Sequence, residues 1–269
     1  MIFSTVKWRQ LLDMKQPKNR YFKLPKKYKV LDIGGGDHPH PRANVVVEKN
    51  PEDNTHRKWD MRLLKHQEVV YGNGERLDFD DNSFDFVFCC HVLEHVDNPV
   101  QFLNEMFRVG KQGYLETPSL MGEYLAPKAS HRWIIMVIDD KIVMFEKDKI
   151  GFRVQQDFGD FFLEYLPKNS IGWKILERTH PEILNTKVHW TDKMEVLINP
   201  IDNEKYLNIF KNPWSKETYN LFFPERTMTE ELKDAIAAFF KIIKSVFKSK
   251  ILKKDVYSRP ESSSANAHQ

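Results

Sequence analysis

The chain has 269 residues, with 41 Lys and Arg against 38 Asp and Glu and a formal net charge of +3. A hydrophobic fraction of 41%, including 19 Phe and 6 Trp, excludes a disordered chain, and so near a charge balance does not by itself point to nucleic acid. The length suits one α/β core with additions, or two small domains.

Residues 1–27 read as a basic accessory arm, in which Lys15, Lys18, Arg20, Lys23, Lys26 and Lys27 are interrupted by Pro17 and Pro25. From Tyr28 the pattern changes to short apolar runs bounded by turn residues. Residues 30–33 form a strand ending in Gly34-Gly35-Gly36, and residues 44–47 form a second ending in Glu48. Residues 68–71 are a weaker third strand. Residues 84–90, introduced by Asp80-Asp81-Asn82-Ser83, are the fourth and most apolar. Such runs suit parallel strands covered on both faces.

A helix then starts at Asp97-Asn98-Pro99, a capping side chain with proline in the first turn, and ends at Gly110. Val100, Leu103, Met106 and Phe107 mark its packing face. Residues 113–117 are a fifth strand closed by Pro118. Residues 133–138 and 141–145 flank Asp139-Asp140 as a β-hairpin, and residues 188–198 contain a second such pair around Thr191-Asp192. These pairs complete the sheet's far edge or form a lid. Residues 199–226 are aromatic and punctuated by proline, without a clear period. Residues 229–254 form an amphipathic helix striped by Leu232, Ile236, Phe239, Phe240, Ile243, Val246 and Phe247, before a polar tail. The expected division is a basic arm at 1–27, a cofactor-binding domain at 28–198 with hairpin insertions, an aromatic segment and helix at 199–255, and a disordered tail at 256–269.

The only two cysteines, Cys89 and Cys90, are adjacent in an apolar run, so no disulfide framework is expected. Without a signal-like start or a spanning apolar run, the expectation is a soluble cytoplasmic protein.

A glycine turn at the carboxyl end of a buried strand lets backbone N–H groups approach a ligand that a Cβ would block. Glu48, at the end of the next strand, is placed to accept hydrogen bonds from both hydroxyls of a ribose. Asp32 precedes the glycines, and Pro39 and Pro41 follow almost at once, which disfavours a dinucleotide fingerprint opening a long helix. Val30-Leu31-Asp32-Ile33-Gly34-Gly35-Gly36 instead resembles the first motif of the class I S-adenosylmethionine (SAM)-dependent methyltransferase family, in its type 11 branch. Residues 72–85, Gly-Asn-Gly-Glu-Arg-Leu-Asp-Phe-Asp-Asp-Asn-Ser-Phe-Asp, resemble that family's adenine-binding loop and fourth strand, with Asn73 where an acid is usual and Gly74 as the small residue. His91-Val92-Leu93-Glu94-His95-Val96-Asp97 resembles the loop after strand four, and Arg108-Val109-Gly110-Lys111-Gln112-Gly113 the lead into strand five. The blocks cover residues 28–118.

The resemblance implies an α/β fold, a Rossmann-like, doubly wound, mostly parallel sheet of about seven strands with helices on both faces, here with a β-hairpin insertion and a C-terminal amphipathic helix. It implies SAM as cofactor, held by Asp32, Gly34, Gly35, Gly36, Glu48, Asn73, Gly74 and His91. One departure stands out: residues 37–43 leave room for a turn and not for the family's helix. Asp37 or His38 then contacts the methionine end of SAM, or the segment is a proline-stiffened loop.

In such a fold the acceptor approaches over strands four and five, which puts His91, Glu94 and His95 near the methyl group, with Glu116, Glu123 and His131 as further candidates. His91 is the expected base, with Glu94 and His131 as catalytic partners; His95 reads as a structural histidine. No metal is expected. Were a divalent ion bound, His91, Glu94 and His95 would be its ligands, similar to the Glu-x-x-Glu-His set of some metal-dependent O-methyltransferases. Trp59, Trp133, Trp173 and Trp190 are available for an acceptor pocket. The expected reaction is O-methylation of a small-molecule or glycan hydroxyl, preferably of a sugar. The alternatives are methylation of RNA or another small molecule, and a SAM-binding partner subunit without catalysis, for which the last helix would be the docking element.

Overall fold

A computed structural model describes residues 23–50 and 60–251. Most of the basic arm, Trp59 and the polar tail lie outside the described residues. Five parallel strands form the centre: β1 Val30–Ile33, β2 Val45–Glu48, β3 Glu68–Tyr71, β4 Phe86–Cys90 and β5 Gly113–Pro118. They pair in the order β3-β2-β1-β4-β5, and β8, Asn185–Trp190, adds an antiparallel edge beside β5. Ile33 lies level with Val47 on one side and Cys89 on the other. The carboxyl ends of β1, β2 and β4 therefore open at one edge, where the strand order reverses.

The period of two along β4 explains its burial on both faces. Val87 and Cys89 point into the larger core with Leu31, Ile33, Leu103 and Met106. Phe86, Phe88 and Cys90 point the other way, beside Val30 and Tyr114, where Leu24 and Tyr28 pack. Both cysteines are buried free thiols.

Helix α1, Pro99–Val109, begins as the sequence indicates: Asn98 Oδ1 accepts a hydrogen bond from Gln101 N at 3.1 Å, and proline fills the first position. Its buried face is rotated from the expected one. Phe102, Leu103, Met106 and Val109 are buried, whereas Val100 is exposed, because Phe102 is the residue that meets the loop at Gly74.

The 133–146 hairpin is present as β6, Trp133–Ile138, and β7, Lys141–Glu146. Asp139 and Asp140 both lie at positive φ, 51° and 58°, the backbone that a two-residue turn of matching twist demands. The second expected pair is not a hairpin. β8 joins β5, and β9, Glu195–Ile198, pairs in parallel with β7 in a separate three-stranded sheet. The sheet of about seven strands is thus six strands plus a second sheet of three. Packing gives the reason: a Cβ on Gly113 would lie 2.6 Å from Trp190 Cζ2 and one on Gly110 would lie 3.0 Å from its Cη2, so these two glycines form a slot that draws Trp190 and β8 onto β5.

Several short helices escape sequence periodicity: α2 Leu120–Leu125, α3 Leu166–Asn169, α4 Ile171–Thr179, α5 Glu204–Lys211 and α6 Lys216–Phe222. The last helix, α7, Met228–Ile251, starts with a reciprocal cap, in which Thr227 N donates to Glu230 Oε2 and Glu230 N to Thr227 Oγ1. Ala238 and Ile242 are buried, but Leu232, Phe240 and Phe247 of the expected stripe are more than 60% exposed. Among the described residues no helix is long and apolar enough to cross a membrane.

The 72–85 block is fixed by α1. Arg108 Nη1 donates to Phe79 O (2.6 Å) and Asp81 Oδ1 (2.8 Å), and its Nη2 donates to Leu77 O (2.9 Å) and Glu105 Oε2 (2.9 Å). Removing the guanidinium takes the donor from two partly buried carbonyls and from the carboxylates of Glu105 and Asp81. Arg108→Ala is expected to cost about 2–3 kcal/mol in urea unfolding; a loss below about 0.5 kcal/mol would show that the clamp is idle.

Candidate active site

The glycine turn sits where β1 ends. Gly34 (φ +67°) donates its N–H to Val47 O at 2.8 Å, which ties the turn to β2. Gly36 (φ +64°) has nothing within 4 Å of where a Cβ would project, so its main chain borders open space. The following loop holds no helix and is pinned instead. Asp32 Oδ2 accepts from His40 N at 2.6 Å, the His40 ring stacks on Phe88 at 3.8 Å, and Arg62 N donates to Asp37 O at 2.9 Å. Asp32 is only 1% exposed; it shapes the turn from within. Asp37 and His38 pair with each other at 3.3 Å on the surface of this loop.

Glu48 is half-buried at the end of β2, and Glu48 O accepts from Gly72 N at 3.1 Å, which brings the 72–77 loop to the same edge. Asn73 is exposed and turns its Oδ1 to Glu75 N at 3.0 Å; an amide oxygen has a second lone pair for a ligand's amino group. A Cβ on Gly74 would lie 2.3 Å from Phe102 Cε2, so glycine lets α1 close against this loop. Bare main chain at Gly36, a carboxylate at the next strand end and the Asn73-Gly74 loop are thus gathered on one edge of the sheet.

His91 follows β4 in left-handed backbone (φ 57°), held by its N–H to Glu116 O at 2.8 Å. Such backbone in a non-glycine residue is strained and clusters at functional sites. Its ring lies between two carboxylates, with Nδ1 3.5 Å from Glu94 Oε1 and Nε2 3.6 Å from Glu116 Oε1. Burial works against a charge on the ring, but the contacts with Glu116 and Glu94 outweigh it and raise its pKa to about 9. The base expected at this position therefore holds a proton at neutral pH. Glu116 is joined by Tyr114, whose hydroxyl donates to Oε2, and by Lys187 at 3.8 Å, directly across from it on β8. Neither Lys187 nor Tyr114 carries a motif, and Lys187 becomes visible only when β8 is placed against β5.

Behind His91 a second group converges. Glu94, fully buried, has His95 Nε2 and His131 Nε2 each 4.0 Å from its Oε1. His131 Nδ1 bonds Glu123 Oε1 at 2.6 Å, and Lys147 Nζ donates to Glu123 Oε2 at 2.6 Å. Burial would raise the Glu94 pKa, but His91 and then His131 outweigh it and lower it. The expected residues Glu94, His95, Glu123 and His131 are thus brought together. Arg132 N donates to Glu94 O at 2.8 Å, so the strand β6 that follows His131 is fastened to this turn.

The tryptophans mostly serve packing. Trp133 Nε1 donates to Val96 O at 2.8 Å, and Trp190 is buried edge-on to Phe107. Trp173 packs against Phe162 at 5.3 Å. The aromatic wall of a cavity of about 730 Å³ comes instead from Trp214, Phe222 and Phe223, in the segment without a period. The cavity opens beyond the end of β5, at Ser119 to Met121, and Lys187 lines it. Lys187 thereby links it through Glu116 to His91.

Residues 40–115 match the family described as a methyltransferase domain, Methyltransf_11. Over this stretch, a little more than a quarter of its length, the chain is similar to the SAM-dependent methyltransferases, a class whose cofactor is SAM. A demethylmenaquinone methyltransferase of Listeria welshimeri is 44% identical over 50 residues, 19% of this chain and 21% of the relative. The match therefore spans about a fifth of that relative's length. Among solved structures, a SAM-dependent methyltransferase of Thermotoga maritima is 26% identical over 35% of this chain and 45% of its own, with a TM-score of 0.26. One of Aquifex aeolicus is 19% identical over 41% of this chain and 63% of its own, with a TM-score of 0.29.

Proposed function

We propose that the protein transfers the methyl group of SAM to a hydroxyl of a small-molecule acceptor, a sugar ring in the preferred case, seated in the cavity beyond β5. What carries this reading is that the aromatic cavity of about 730 Å³ lies beyond the end of β5, in a sheet whose β1, β2 and β4 run parallel to it, and that its lining residue Lys187 reaches His91 through Glu116. A volume of this size is that of a small-molecule site, and the flat faces of Trp214 and Phe222, stacked 5.1 Å apart, suit a ring. The matched relatives are named for a small molecule, demethylmenaquinone, which supports the acceptor class.

SAM, when bound, supplies a methyl group on a positively charged sulfur. In-line displacement then requires alignment and the exclusion of water more than strong acid-base chemistry. Glu48 and the glycine turn would orient the cofactor, the aromatic wall would hold the acceptor ring and keep water out, and Lys187 and Glu116 would orient polar groups at the mouth between them.

The full chain incubated with SAM and a panel of sugars, small phenols and RNAs should yield a methylated small acceptor detected by mass spectrometry. Trp214→Ala should raise the acceptor KM about tenfold while leaving the SAM Kd unchanged. SAM binding without product on any acceptor would favour the partner-subunit alternative. Salt-sensitive methylation of RNA alone would favour a nucleic-acid enzyme.

A further inference from the structure

We propose that Glu94, His95 and His131 bind a divalent transition-metal ion of the zinc type. One ligand atom from each lies within 4.8 Å of the other two. The inference rests on this geometry and is independent of the methyl-transfer proposal.

The hydrogen bonds around the group fix where its lone pairs point. His95 Nδ1 is 3.0 Å from Ser130 O, and a carbonyl only accepts, so Nδ1 carries a proton and Nε2 is the ring nitrogen turned toward Glu94. Glu123, paired with Lys147, likewise accepts from His131 Nδ1, which turns the Nε2 of that ring toward Glu94 too. Both Nε2 atoms then face Glu94 Oε1 at 4.0 Å. Glu94 is fully buried, and neither carboxylate oxygen has a hydrogen-bond partner. Buried carboxylates are otherwise saturated with donors. The His91 ring reaches Glu94 Oε1 only at 3.5 Å and forms no hydrogen bond with it, so the three converging ligand atoms leave a place for a cation among them.

The surroundings are those of a built metal site. Metal-ligating histidines give their other N–H to a carboxylate or a carbonyl, which fixes tautomer and ring direction; Glu123 and Ser130 O do this for His131 and His95. Ligands bound at about 2.0–2.1 Å in a tetrahedron lie about 3.4 Å apart, so the two Glu94–histidine pairs at 4.0 Å must close by roughly half an ångström, and any pair nearer the 4.8 Å limit of the set by more than an ångström. Two imidazoles and one carboxylate favour zinc over magnesium. Three protein ligands leave a fourth position open, and His95, 27% exposed, lies on the side nearest solvent. His91 reaches Glu94 but divides itself between two carboxylates, so the set differs from the one expected from sequence by His131 in place of His91.

The full chain, stripped with chelator and freed of it, would be titrated with Co²⁺ in the absence of SAM. The expected result is a visible ligand-field absorption saturating at one ion per chain, abolished by one equivalent of Zn²⁺ and untouched by millimolar Mg²⁺. His95→Gln and His131→Gln should each weaken Zn²⁺ binding at least 100-fold, while the exposed control His66→Gln leaves it unchanged. Circular dichroism and SAM affinity check the fold of each variant; His95→Gln, at a partly exposed position, keeps the test valid if His131→Gln unfolds. No Co²⁺ band, displacement by Mg²⁺, or equal Zn²⁺ affinity in folded variants and parent would overturn the proposal. Zinc binding without SAM binding would keep the metal site and remove the methyltransferase proposal; the reverse would do the opposite.

Discussion

Gly36→Val is expected to weaken SAM binding at least 100-fold while leaving the protein folded. Nothing lies within 4 Å of the Cβ that would be added, so the core need not move, and the new side chain would occupy the space that the main chain of the turn leaves for a ligand. The left-handed φ of +64° adds strain of about 1–2 kcal/mol for an L-residue, which a melting curve would register as a few degrees. Gly34→Val is a poorer probe, since its Cβ would lie 2.3 Å from Val92 Cγ2 and drive apart the β1 and β4 ends. Calorimetric titration with SAM measures the effect. Parent-like affinity in folded Gly36→Val would show that the turn does not face the cofactor.

Glu116→Gln is expected to cost about 3 kcal/mol at pH 7. Burial would raise the Glu116 pKa, but His91, the charge of Lys187 and the Tyr114 hydroxyl outweigh it and lower the pKa from 4.5 to about 2. The carboxylate is 13% exposed and Lys187 12%, so screening removes little of this. A folded-state pKa below the unfolded one gives stability that is present above pH 4.5 and lost as pH falls through about 2. The difference between parent and variant in urea unfolding should therefore shrink to less than half by about pH 3. Lys187 and His91 keep their positive charges throughout that range. A difference independent of pH would mean that the loss comes from shape and not from charge.

The parallel centre is legible in the sequence because its signals are local. Apolar runs end in Gly34, Glu48 or Pro118, and Asn98-Pro99 and Gly110 mark both ends of α1. The hairpin is legible from Asp139-Asp140 alone. The partners of β8 and β9 are not, since the Gly110 and Gly113 slot that receives Trp190 joins residues some 80 positions apart. Helices of two turns, such as α5 and α6, end before a period of 3.6 can show.

At the site, the sequence names Glu94, His95, Glu123 and His131 as separate candidates. Only the packing of β6 against the turn after β4 makes them one group. Whether Asp32 faces a ligand or the interior is a matter of its rotamer, and in the fold it faces His40 N. Trp214 carries no motif, and its place in the cavity wall follows from tertiary packing alone.

The chain passes from β8 in the large sheet to β9 in the small one through residues 191–194. Trp133, Ile135, Ile142 and Met144 of the hairpin also belong to the same apolar cluster as Leu31 and Val87. A swinging cover needs a flank free to part from the body beneath it, and this hairpin has none. It serves as a foundation, and the two sheets should come apart in a single cooperative transition.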